Sequence, residues 1–468
     1  MPSYTSTPIY IGSLQLGGTN PVRLQSMTNT DTLDTVASVA QCIRIIEAGG
    51  EMVRLTTQGE KEARNLEKIK NELVKLGITT PLIADVHFNP RVAEIAAGIV
   101  DKVRINPGNY VDKRASFSVV NLSEREYQDE LERIHTRLRP LLVACTANNT
   151  SVRIGVNHGS LSDRIMSRYG NTPRGMAESA MEFIRITSAE NFHKLVLSLK
   201  SSNSIIMIEA TRLLVSMMQA EGFSYPLHLG VTEAGEGEDG RIRSALGIGA
   251  LLAEGIGDTI RVSLSEPPEN EIPIAKMIVE SALRHKQEAR PGGAEILSSA
   301  GVKTVKLSYK TDDPVKLSVM SAVDSAAILL SRKAEDLIIE NDGTITTEEV
   351  KSIKDGILQA ARIKITRNDY ISCPTCGRTK FDLPSAVGKV KAATAHLTGL
   401  KIAVMGCMVN GPGEMADADY GYVGAGKGVV SIYRGREAVL KNIPEERAVE
   451  ELLILIEKDK KQFSPDLI

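Results

Sequence analysis

The chain has 468 residues and a formal net charge of −2, and 42% of its residues are hydrophobic. The net charge gives no overall electrostatic reason to expect a nucleic-acid partner, and an aromatic content of 4% argues against a base-stacking platform for single strands. Five scattered cysteines exclude a secreted disulfide framework, and the lack of a signal-peptide pattern or a membrane-length apolar run predicts a soluble cytoplasmic enzyme with no membrane partner.

The first 290 residues repeat one pattern, in which a short β-branched run is followed by a polar cluster and an amphipathic helical stretch. Strand alternating with helix predicts a parallel sheet, and eight units in this length match an α/β fold of the (β/α)8 TIM-barrel type. A doubly wound sheet is the alternative, but no Gly-x-Gly-x-x-Gly motif follows the first strand. The predicted strands lie at residues 22–30, 52–57, 81–88, 102–109, 151–160, 194–202, 227–235 and 259–265.

The segment "KQEARPGGAE" has the proline and glycines typical of a domain boundary. After it the pattern predicts a small β-α-β-α insert, whose second helix begins with a capping box at Thr346 and Glu349. The remaining residues predict a C-terminal α/β domain that contains a helix, a strand, a glycine-rich hairpin and a terminal helix. The glycines of the hairpin favour turns over a phosphate loop, because strands flank them. The expected domains are residues 1–290, 291–368 and 369–468.

Polar and charged side chains gather at the carboxyl ends of the predicted barrel strands, where a barrel has its active site. A salt bridge or a solvated strand end explains any single arginine of this set. Several cations that converge from different strands would be costly without an anion, and guanidinium groups match phosphate oxygens in pairs. The set therefore predicts a diphosphate or doubly phosphorylated ligand. The candidate substrate-binding residues are Arg54, Asp85, His87, Arg104, Asn106, Arg153, Asn157, Lys200, Arg261 and Ser263.

Three further side chains at these strand ends suggest specific roles. Asp85 and His87 lie two residues apart on one strand, so both face one side and could orient a hydroxyl group. A salt bridge explains His87 equally well. Glu233 is a candidate general acid, with pairing to one of the arginines as the alternative. Cys42 and Cys145 lie in apolar stretches and are expected to be buried as small hydrophobic side chains.

The other three cysteines form a separate group near the C-terminus. Cys373 and Cys376 lie in "ISCPTCGRTKFDL", and Cys407 lies in "MGCMVNGPGEMADAD". A structural zinc site usually closes with four Cys or His ligands, and a thioredoxin-type pair needs no third cysteine. Three thiolates with one other ligand suit a [4Fe–4S] cluster that has one iron open to substrate. Glu414, next to the Gly-Pro-Gly turn, is the expected oxygen ligand, because a substrate oxygen displaces a carboxylate more easily than a thiolate.

The segments "SCPTCGRTKFDL" and "GCMVNGPGEMADADYGYVG" resemble those of the 4-hydroxy-3-methylbut-2-enyl diphosphate synthase family of the methylerythritol phosphate route to isoprenoids. "VRLQSMTNT", "IADVHFNP" and "VRIGVNHGS" are similar to strands of the family's barrel, so the resemblance covers about residues 1–290 and 365–468. It implies reductive dehydroxylation and ring opening of 2-C-methyl-D-erythritol 2,4-cyclodiphosphate. Two electrons would come from reduced ferredoxin or flavodoxin.

Carried over to this sequence, the resemblance implies that Cys373, Cys376, Cys407 and Glu414 hold the cluster, while Glu233 lies near the reacting carbons. The arginine and lysine side chains would bind the diphosphate. In the family the barrel of one protomer meets the cluster domain of the other, which implies a homodimer in the bacterial cytoplasm. The cysteine segments are similar to the longer, plant-like and chlamydial form, but the insert here has only about 80 residues and is expected to be shortened.

Two other functions stay open on the sequence alone. A structural or nucleic-acid-binding zinc module fused to a barrel would use the same cysteines, and iron and sulfide analysis distinguishes it from the enzyme. A pterin-type barrel transferase also holds phosphate at its strand ends, and it would stay active without Cys407.

Overall fold

The computed structural model describes residues 4–112, 119–288, 291–299, 301–377, 379, 381–408, 411–415 and 417–463. Along the chain a β-hairpin is followed by an eight-stranded sheet, a three-stranded sheet and a five-stranded sheet. Among the described helices, none has both the length and the apolar character needed to cross a bilayer.

A short antiparallel hairpin closes the amino-terminal end of the barrel. Its strands are β1 (Ile9–Ile11) and β2 (Leu14–Leu16). Ile11 and Leu16 are fully buried and pack with Met52 and Ile83 from the beginnings of two barrel strands. The hairpin was missed in the sequence because its strands have only three residues each, too short for a period-2 pattern.

Eight parallel strands form the barrel, and each coincides with one of the predicted runs. They are β3 (Arg23–Met27), β4 (Met52–Thr57), β5 (Leu82–Val86), β6 (Lys102–Ile105), β7 (Ser151–Asn157), β8 (Leu195–Lys200), β9 (His228–Leu229) and β10 (Thr259–Ile260). Neighbours pair in the order β8-β7-β6-β5-β4-β3-β10-β9. A parallel bridge between Leu197 and Leu227 brings the two ends of this sheet together. The predicted barrel is confirmed.

Helices connect the barrel strands and begin where side chains cap them. Asp34 accepts a hydrogen bond from the backbone N–H of Ala37, and Ser123 forms a capping box with Glu126. The helices are α1 (Thr35–Glu47), α2 (Glu60–Lys75), α3 (Pro90–Ala97), α4 (Pro107–Tyr110), α5 (Glu124–Ala147), α6 (Asp163–Tyr169), α7 (Pro173–Ala189), α8 (Ser204–Ala220), α9 (Gly237–Ala253) and α10 (Glu271–Gln287).

A three-stranded sheet with two helices follows the barrel, and we call it the insert. It contains β11 (Glu295–Ser299), β12 (Val302–Tyr309), α11 (Pro314–Leu330), β13 (Asp336–Asn341) and α12 (Thr347–Ala360). The predicted capping box of Thr346 and Glu349 is confirmed. The sequence missed β11, whose five residues are all exposed and show no alternation. The predicted boundary segment includes residues 289 and 290, which lie outside the described residues.

The last unit, which we call the C-terminal unit, is a five-stranded sheet covered by helices. It consists of β14 (Asp369–Ser372), α13 (Leu383–Thr394), β15 (Lys401–Met405), α14 (Gly411–Glu414), β16 (Tyr420–Gly426), β17 (Val429–Arg434), β18 (Glu437–Pro444) and α15 (Glu445–Phe463). The predicted helix, strand, hairpin and terminal helix are all present, whereas β14 and β18 were not predicted. A bridge between Ala234 and Ser372 joins this unit to the barrel.

Asp369, the first residue of β14, ties the C-terminal unit to the barrel and the insert by charge. Arg243 of α9 and Arg362, which follows α12, both pair with its buried carboxylate. Arg243 also donates a hydrogen bond of 2.6 Å to the backbone oxygen of Tyr370. Burial alone would raise the pKa of Asp369, but the opposite effect of the two guanidinium groups is larger, so the pKa lies below its usual value.

We expect Asp369→Asn to lower the free energy of unfolding by about 3 kcal/mol, because it leaves two guanidinium groups without their counter-charge. Urea denaturation measures this loss. The contribution is present above the unfolded-state pKa of about 3.9 and is lost as the pH falls through the lower folded-state pKa. Asp342→Asn is the control, since Asp342 forms an exposed ion pair with Lys310 at 3.9 Å and should leave the free energy unchanged. Equal losses in the two variants would contradict the role of Asp369.

Candidate active site

A cavity of about 80 Å³ lies where the carboxyl ends of the barrel strands meet the C-terminal unit. Nine of the ten candidate substrate-binding residues line it, together with the candidate acid Glu233 and the three C-terminal cysteines. The predicted residues on its wall are Arg54, Asp85, His87, Arg104, Arg153, Asn157, Lys200, Arg261, Ser263, Glu233, Cys373, Cys376 and Cys407. Gly411 of the predicted Gly-Pro-Gly turn also lines it, as do four residues that the sequence did not single out, Met27, Thr232, Pro374 and Met405.

Strand periodicity explains why these side chains share one cavity. Every second residue of a barrel strand faces the interior. On β7 this places Arg153, Gly155 and Asn157 inside the barrel. Asp85 on β5 also faces inward, as does His87 directly after that strand. Met27 follows the same rule at the end of β3, so alternation was the signal that could have found it.

Two inward-facing glycines make room for two of the cations. A Cβ atom on Gly155 would lie 2.6 Å from Nε of Arg104, and one on Gly230 would lie 2.7 Å from Nζ of Lys200. Contacts this short do not occur between real side chains. Because Gly155 and Gly230 have no Cβ atom, Arg104 and Lys200 can occupy the barrel interior.

We expect Gly230→Ala to displace the Lys200 ammonium group and to weaken binding of inorganic diphosphate about tenfold. A hydrogen bond to a charged group contributes about 1.5–3 kcal/mol, and 1.4 kcal/mol corresponds to a factor of ten. Calorimetric titration measures the affinity. Gly388→Ala is the control, because no atom lies within 4 Å of a Cβ at Gly388. An unchanged affinity in Gly230→Ala would show that Lys200 does not bind the anion.

Arg153 is a buried cation of the cavity with unused hydrogen-bond donors. The residue is 1% exposed, and its Nε and Nη1 donate no hydrogen bond to any of the described residues. Burial lowers the pKa of Arg153, and the charges of Arg54 and Arg104 lower it further. Burial and the charge of Arg153 lower the pKa of Lys200 in the same way. Such desolvated cations with unused N–H groups are matched to an anionic ligand.

Other cations of the cavity have carboxylate partners. Arg104 pairs with Asp85 at 3.1 Å, and Arg261 pairs with Glu271 at 2.9 Å. Burial raises the pKa of Asp85, but Arg54 and Arg104 outweigh this effect and hold it well below its usual value. Glu271, at the start of α10, carried no recognisable signal in the sequence.

His87 both lines the cavity and contacts charged neighbours. Its Nε2 lies 3.4 Å from a carboxylate oxygen of Asp85 and 3.0 Å from Nη1 of Arg104. His87 therefore has the contact with a carboxylate that a salt bridge requires, and it also lies on the cavity wall, where it could orient a substrate hydroxyl.

Asn106 is the one candidate substrate-binding residue that lies beside the cavity. Its Oδ1 accepts a hydrogen bond of 3.1 Å from the backbone N–H of Gly108 and so caps α4. Its Nδ2 donates a hydrogen bond of 2.8 Å to Oγ of Ser160. These contacts give the side chain a structural role in holding two loops together.

Two carboxyl groups from different parts of the chain meet beside the cavity, where Glu233 lines the wall and Glu414 contacts the lining residues Asn157 and Thr232. Glu233 has a backbone φ of 50°, a left-handed conformation that is uncommon for a residue with a side chain and clusters at functional sites. Glu414 accepts hydrogen bonds from Nδ2 of Asn157 at 2.9 Å and from Oγ1 of Thr232 at 3.4 Å. Burial raises the pKa of both carboxyl groups, and the charge of Glu233 raises that of Glu414 further.

The three C-terminal cysteines come from two loops that follow adjacent strands. Cys373 follows β14 and Cys407 follows β15, so the parallel pairing of these strands places both at one edge of the sheet. The Sγ of Cys373 accepts a hydrogen bond of 3.1 Å from the backbone N–H of Gly406. Burial raises the pKa of Cys373, and Cys376 and Cys407 raise it further. Among the described residues, no three His, Cys, Asp or Glu side chains converge closely enough to hold a single metal ion.

The two remaining cysteines lie elsewhere, as the sequence predicted. Cys42 in α1 and Cys145 in α5 are both 0% exposed within the apolar core of the barrel. Burial raises the pKa of each thiol to about 12. Both therefore act as small hydrophobic side chains.

One chain supplies both walls of the cavity. Nδ2 of Asn29 in the barrel donates a hydrogen bond of 2.9 Å to Oγ1 of Thr375, and the hydroxyl groups of Ser265 and Ser372 lie 2.7 Å apart. The resemblance implied that the barrel would meet the cysteines of a second protomer. The structure instead places the cysteines of the same chain on the cavity.

Two family models match the chain, the GcpE TIM-barrel domain over residues 6–276 and the GcpE protein C-terminal domain over residues 369–458. The chain belongs to the GcpE family. Relatives of this GcpE chain from Bacteroides thetaiotaomicron and Parabacteroides distasonis are 42% and 43% identical, covering 98% and 97% of the chain and 98% of each relative. An Akkermansia muciniphila relative is 38% identical over 98% of the chain and 97% of its own length. All three are named 4-hydroxy-3-methylbut-2-en-1-yl diphosphate synthase (flavodoxin).

Membership of the GcpE family confirms the predicted family, fold class and enzyme class. The family is one of iron–sulfur enzymes. The alignment with the Bacteroides relative runs over 601 residues, although this GcpE chain has 468. The relative therefore contains segments that are absent here, and a shortened insert stays a prediction. Among solved structures, an N-acetylneuraminic acid synthetase from Leptospira borgpetersenii aligns at 14% identity and a TM-score of 0.40, covering 64% of this chain and 94% of its own, which is too distant to bear on function.

Proposed function

We propose that this GcpE chain reduces 2-C-methyl-D-erythritol 2,4-cyclodiphosphate to 4-hydroxy-3-methylbut-2-en-1-yl diphosphate, with flavodoxin as the electron donor. The family assignment and the names of the relatives support this reaction. The observation that carries it is a buried arginine, Arg153, with two nitrogen atoms that have no hydrogen-bond partner among the described residues, in a cavity that three thiols also line. An anionic substrate and an electron-transferring group would thus meet in one place.

The reaction consumes two electrons and two protons and releases one water molecule. The bond between a ring carbon and its phosphate oxygen breaks, and the hydroxyl group on the neighbouring carbon leaves as water. The two electrons form the double bond between these two carbons. The protein must therefore bind a diphosphate, supply protons and deliver electrons one after the other.

The donor set of this chain fits an iron–sulfur cluster. Cys373, Cys376 and Cys407 would hold it with Glu414 as the oxygen ligand, and a [4Fe–4S] cluster spreads its ligands more widely than a single metal ion does. That spread agrees with the lack, within the described ranges, of a tight three-ligand group. When bound, the cluster supplies single electrons at a potential that the surrounding protein sets.

The barrel side chains account for substrate binding and proton supply. Arg153, Lys200 and Arg54 would bind the diphosphate, because their charges already repel one another and an anion relieves that repulsion. Glu233 would donate a proton from its carboxyl group to the departing hydroxyl, since burial raises its pKa and favours the protonated form. Asp85, held ionised by Arg104, would orient a substrate hydroxyl together with His87.

Substrate entry requires the barrel and the C-terminal unit to separate. The cavity of about 80 Å³ is smaller than the roughly 300–1,000 Å³ of typical ligand pockets. Opening would break the hydrogen bonds from Asn29 to Thr375 and from Asn157 to Glu414. A homodimer and a cytoplasmic location, both predicted from the sequence, stay predictions.

Anaerobic turnover of the cyclodiphosphate with an artificial one-electron reductant tests the proposed function directly. We expect formation of the linear diphosphate by protein that contains iron and acid-labile sulfide, and loss of activity in air. Protein that binds zinc without iron and does not convert the substrate would contradict the proposal. It would favour a structural zinc module.

A further inference from the structure

A second concavity lies on the outer side of the cysteine loop, between the barrel and the C-terminal unit. This groove has a volume of about 940 Å³. Cys376 lines both the groove and the cavity, whereas Cys373 and Cys407 line the cavity alone. Of the three thiols, Cys376 is thus the one that can be reached from the groove.

The walls of the groove differ in chemistry from those of the cavity. Pro267 from the barrel and Pro384 from the C-terminal unit are exposed on its walls, and the ring of Phe381 is half-buried there. Among the described residues, five carboxylates and one arginine line the groove, and three of these carboxylates are paired with cations. The pairs are Glu236 with Lys391 at 3.0 Å, Glu266 with Arg241 at 2.9 Å and Glu269 with Arg44 at 2.9 Å.

We propose that this groove is the docking site of flavodoxin and that electrons enter the protein beside Cys376. Flavodoxin presents the flat, apolar edge of its flavin ring, which suits a groove with proline and phenylalanine walls better than a phosphate does. Rates of electron transfer fall steeply with distance, so the donor must approach a residue that holds the cluster. Redox partners also associate through small, weak interfaces, which a groove of this size can supply.

The electron transfer balances without any further reactant. In each encounter the flavin hydroquinone anion gives up one electron and becomes the neutral semiquinone, so no proton moves, and the group held by the cysteines accepts that electron. Two encounters supply the two electrons of the reaction. This inference rests on the proposed function, because it needs both the cluster and the flavodoxin donor.

Two substitutions on opposite walls of the groove test the docking site. Pro384→Glu places a charged, longer side chain in the groove, and an acidic residue in the first turn of α13 is compatible with the helix. Pro267→Glu does the same from the barrel wall. Gly388→Glu is the matched control, because it adds the same side chain to α13 outside the groove, at a position with no atom within 4 Å of a Cβ.

Calorimetric binding of oxidised flavodoxin to the iron-loaded protein is the first measurement, and turnover driven by dithionite is the second. We expect both proline variants to raise the dissociation constant for flavodoxin at least fivefold, and the control to leave it unchanged. Dithionite-driven turnover should stay within twofold of the unmodified protein in all three. Unchanged flavodoxin binding in both proline variants, or a loss of their dithionite-driven turnover, would overturn the docking site. Absence of dithionite-driven turnover in the unmodified protein would instead refute the proposed function.

Discussion

Cys407→Ala should abolish turnover of the cyclodiphosphate and lower the iron content of anaerobically purified protein. Cys407 lines the same cavity as Cys373 and Cys376. Both Cys376 and Cys407 lie close enough to Cys373 to raise its pKa. Loss of one thiolate leaves the proposed cluster with two sulfur ligands and one carboxylate, which is too few to retain it. Iron and acid-labile sulfide analysis, visible absorption and turnover are the measurements.

Two companion variants separate this effect from a general effect of losing a side chain. Cys145→Ala removes a thiol that is fully buried in the barrel core, so it should lower the free energy of unfolding without changing iron content or turnover. Glu414→Ala should retain part of the iron and impair turnover, because the three thiolates remain. Full iron content and turnover in Cys407→Ala would refute the ligand set and would favour a barrel enzyme that does not use the cysteines.

The sequence contained the barrel because local patterns encode it. Seven of the eight strands are buried along their whole length, and a helix with its own caps follows most of the strands. Alternation along the strands then predicts which residues face inward, which is why Arg153 on β7 and Asp85 on β5 could be assigned to one site. The three cysteines were assigned to one site by their number and by the resemblance of their segments, and not by strand pairing, because β14 was not predicted.

What the sequence could not supply depends on contacts between distant parts of the chain. Glu271, at the start of a helix, forms an ion pair with Arg261. Thr232 donates a hydrogen bond to Glu414 of the C-terminal unit. No local sequence pattern of Glu271 or Thr232 reveals these partners. The short strands β1, β2 and β11 were missed because their own residues show no strand pattern. They are defined by hydrogen bonding to their neighbours, β1 to β2 and β11 to β12. The sequence also did not predict that one chain supplies both walls of the cavity. That arrangement depends on how the insert positions the C-terminal unit.

Replacing Arg153 by Met should raise the dissociation constant for inorganic diphosphate at least tenfold, since it removes buried N–H donors that have no partner among the described residues. A charge-assisted hydrogen bond contributes about 1.5–3 kcal/mol, which corresponds to a factor of ten or more. The same substitution should raise the free energy of unfolding of the ligand-free protein. It relieves repulsion among Arg54, Arg104 and Arg153 and replaces a buried charge with a shorter, unbranched apolar side chain.

Opposite changes in affinity and stability distinguish a ligand-binding arginine from a structural one. Calorimetric titration gives the affinity, and urea denaturation without ligand gives the free energy of unfolding. Arg64→Met is the control, because Arg64 forms an exposed ion pair with Glu60 at 3.6 Å and should change neither quantity. If Arg153→Met instead lowers stability and leaves the affinity for diphosphate intact, the guanidinium group is a structural element of the barrel. The anion must then be bound by other cations of the cavity.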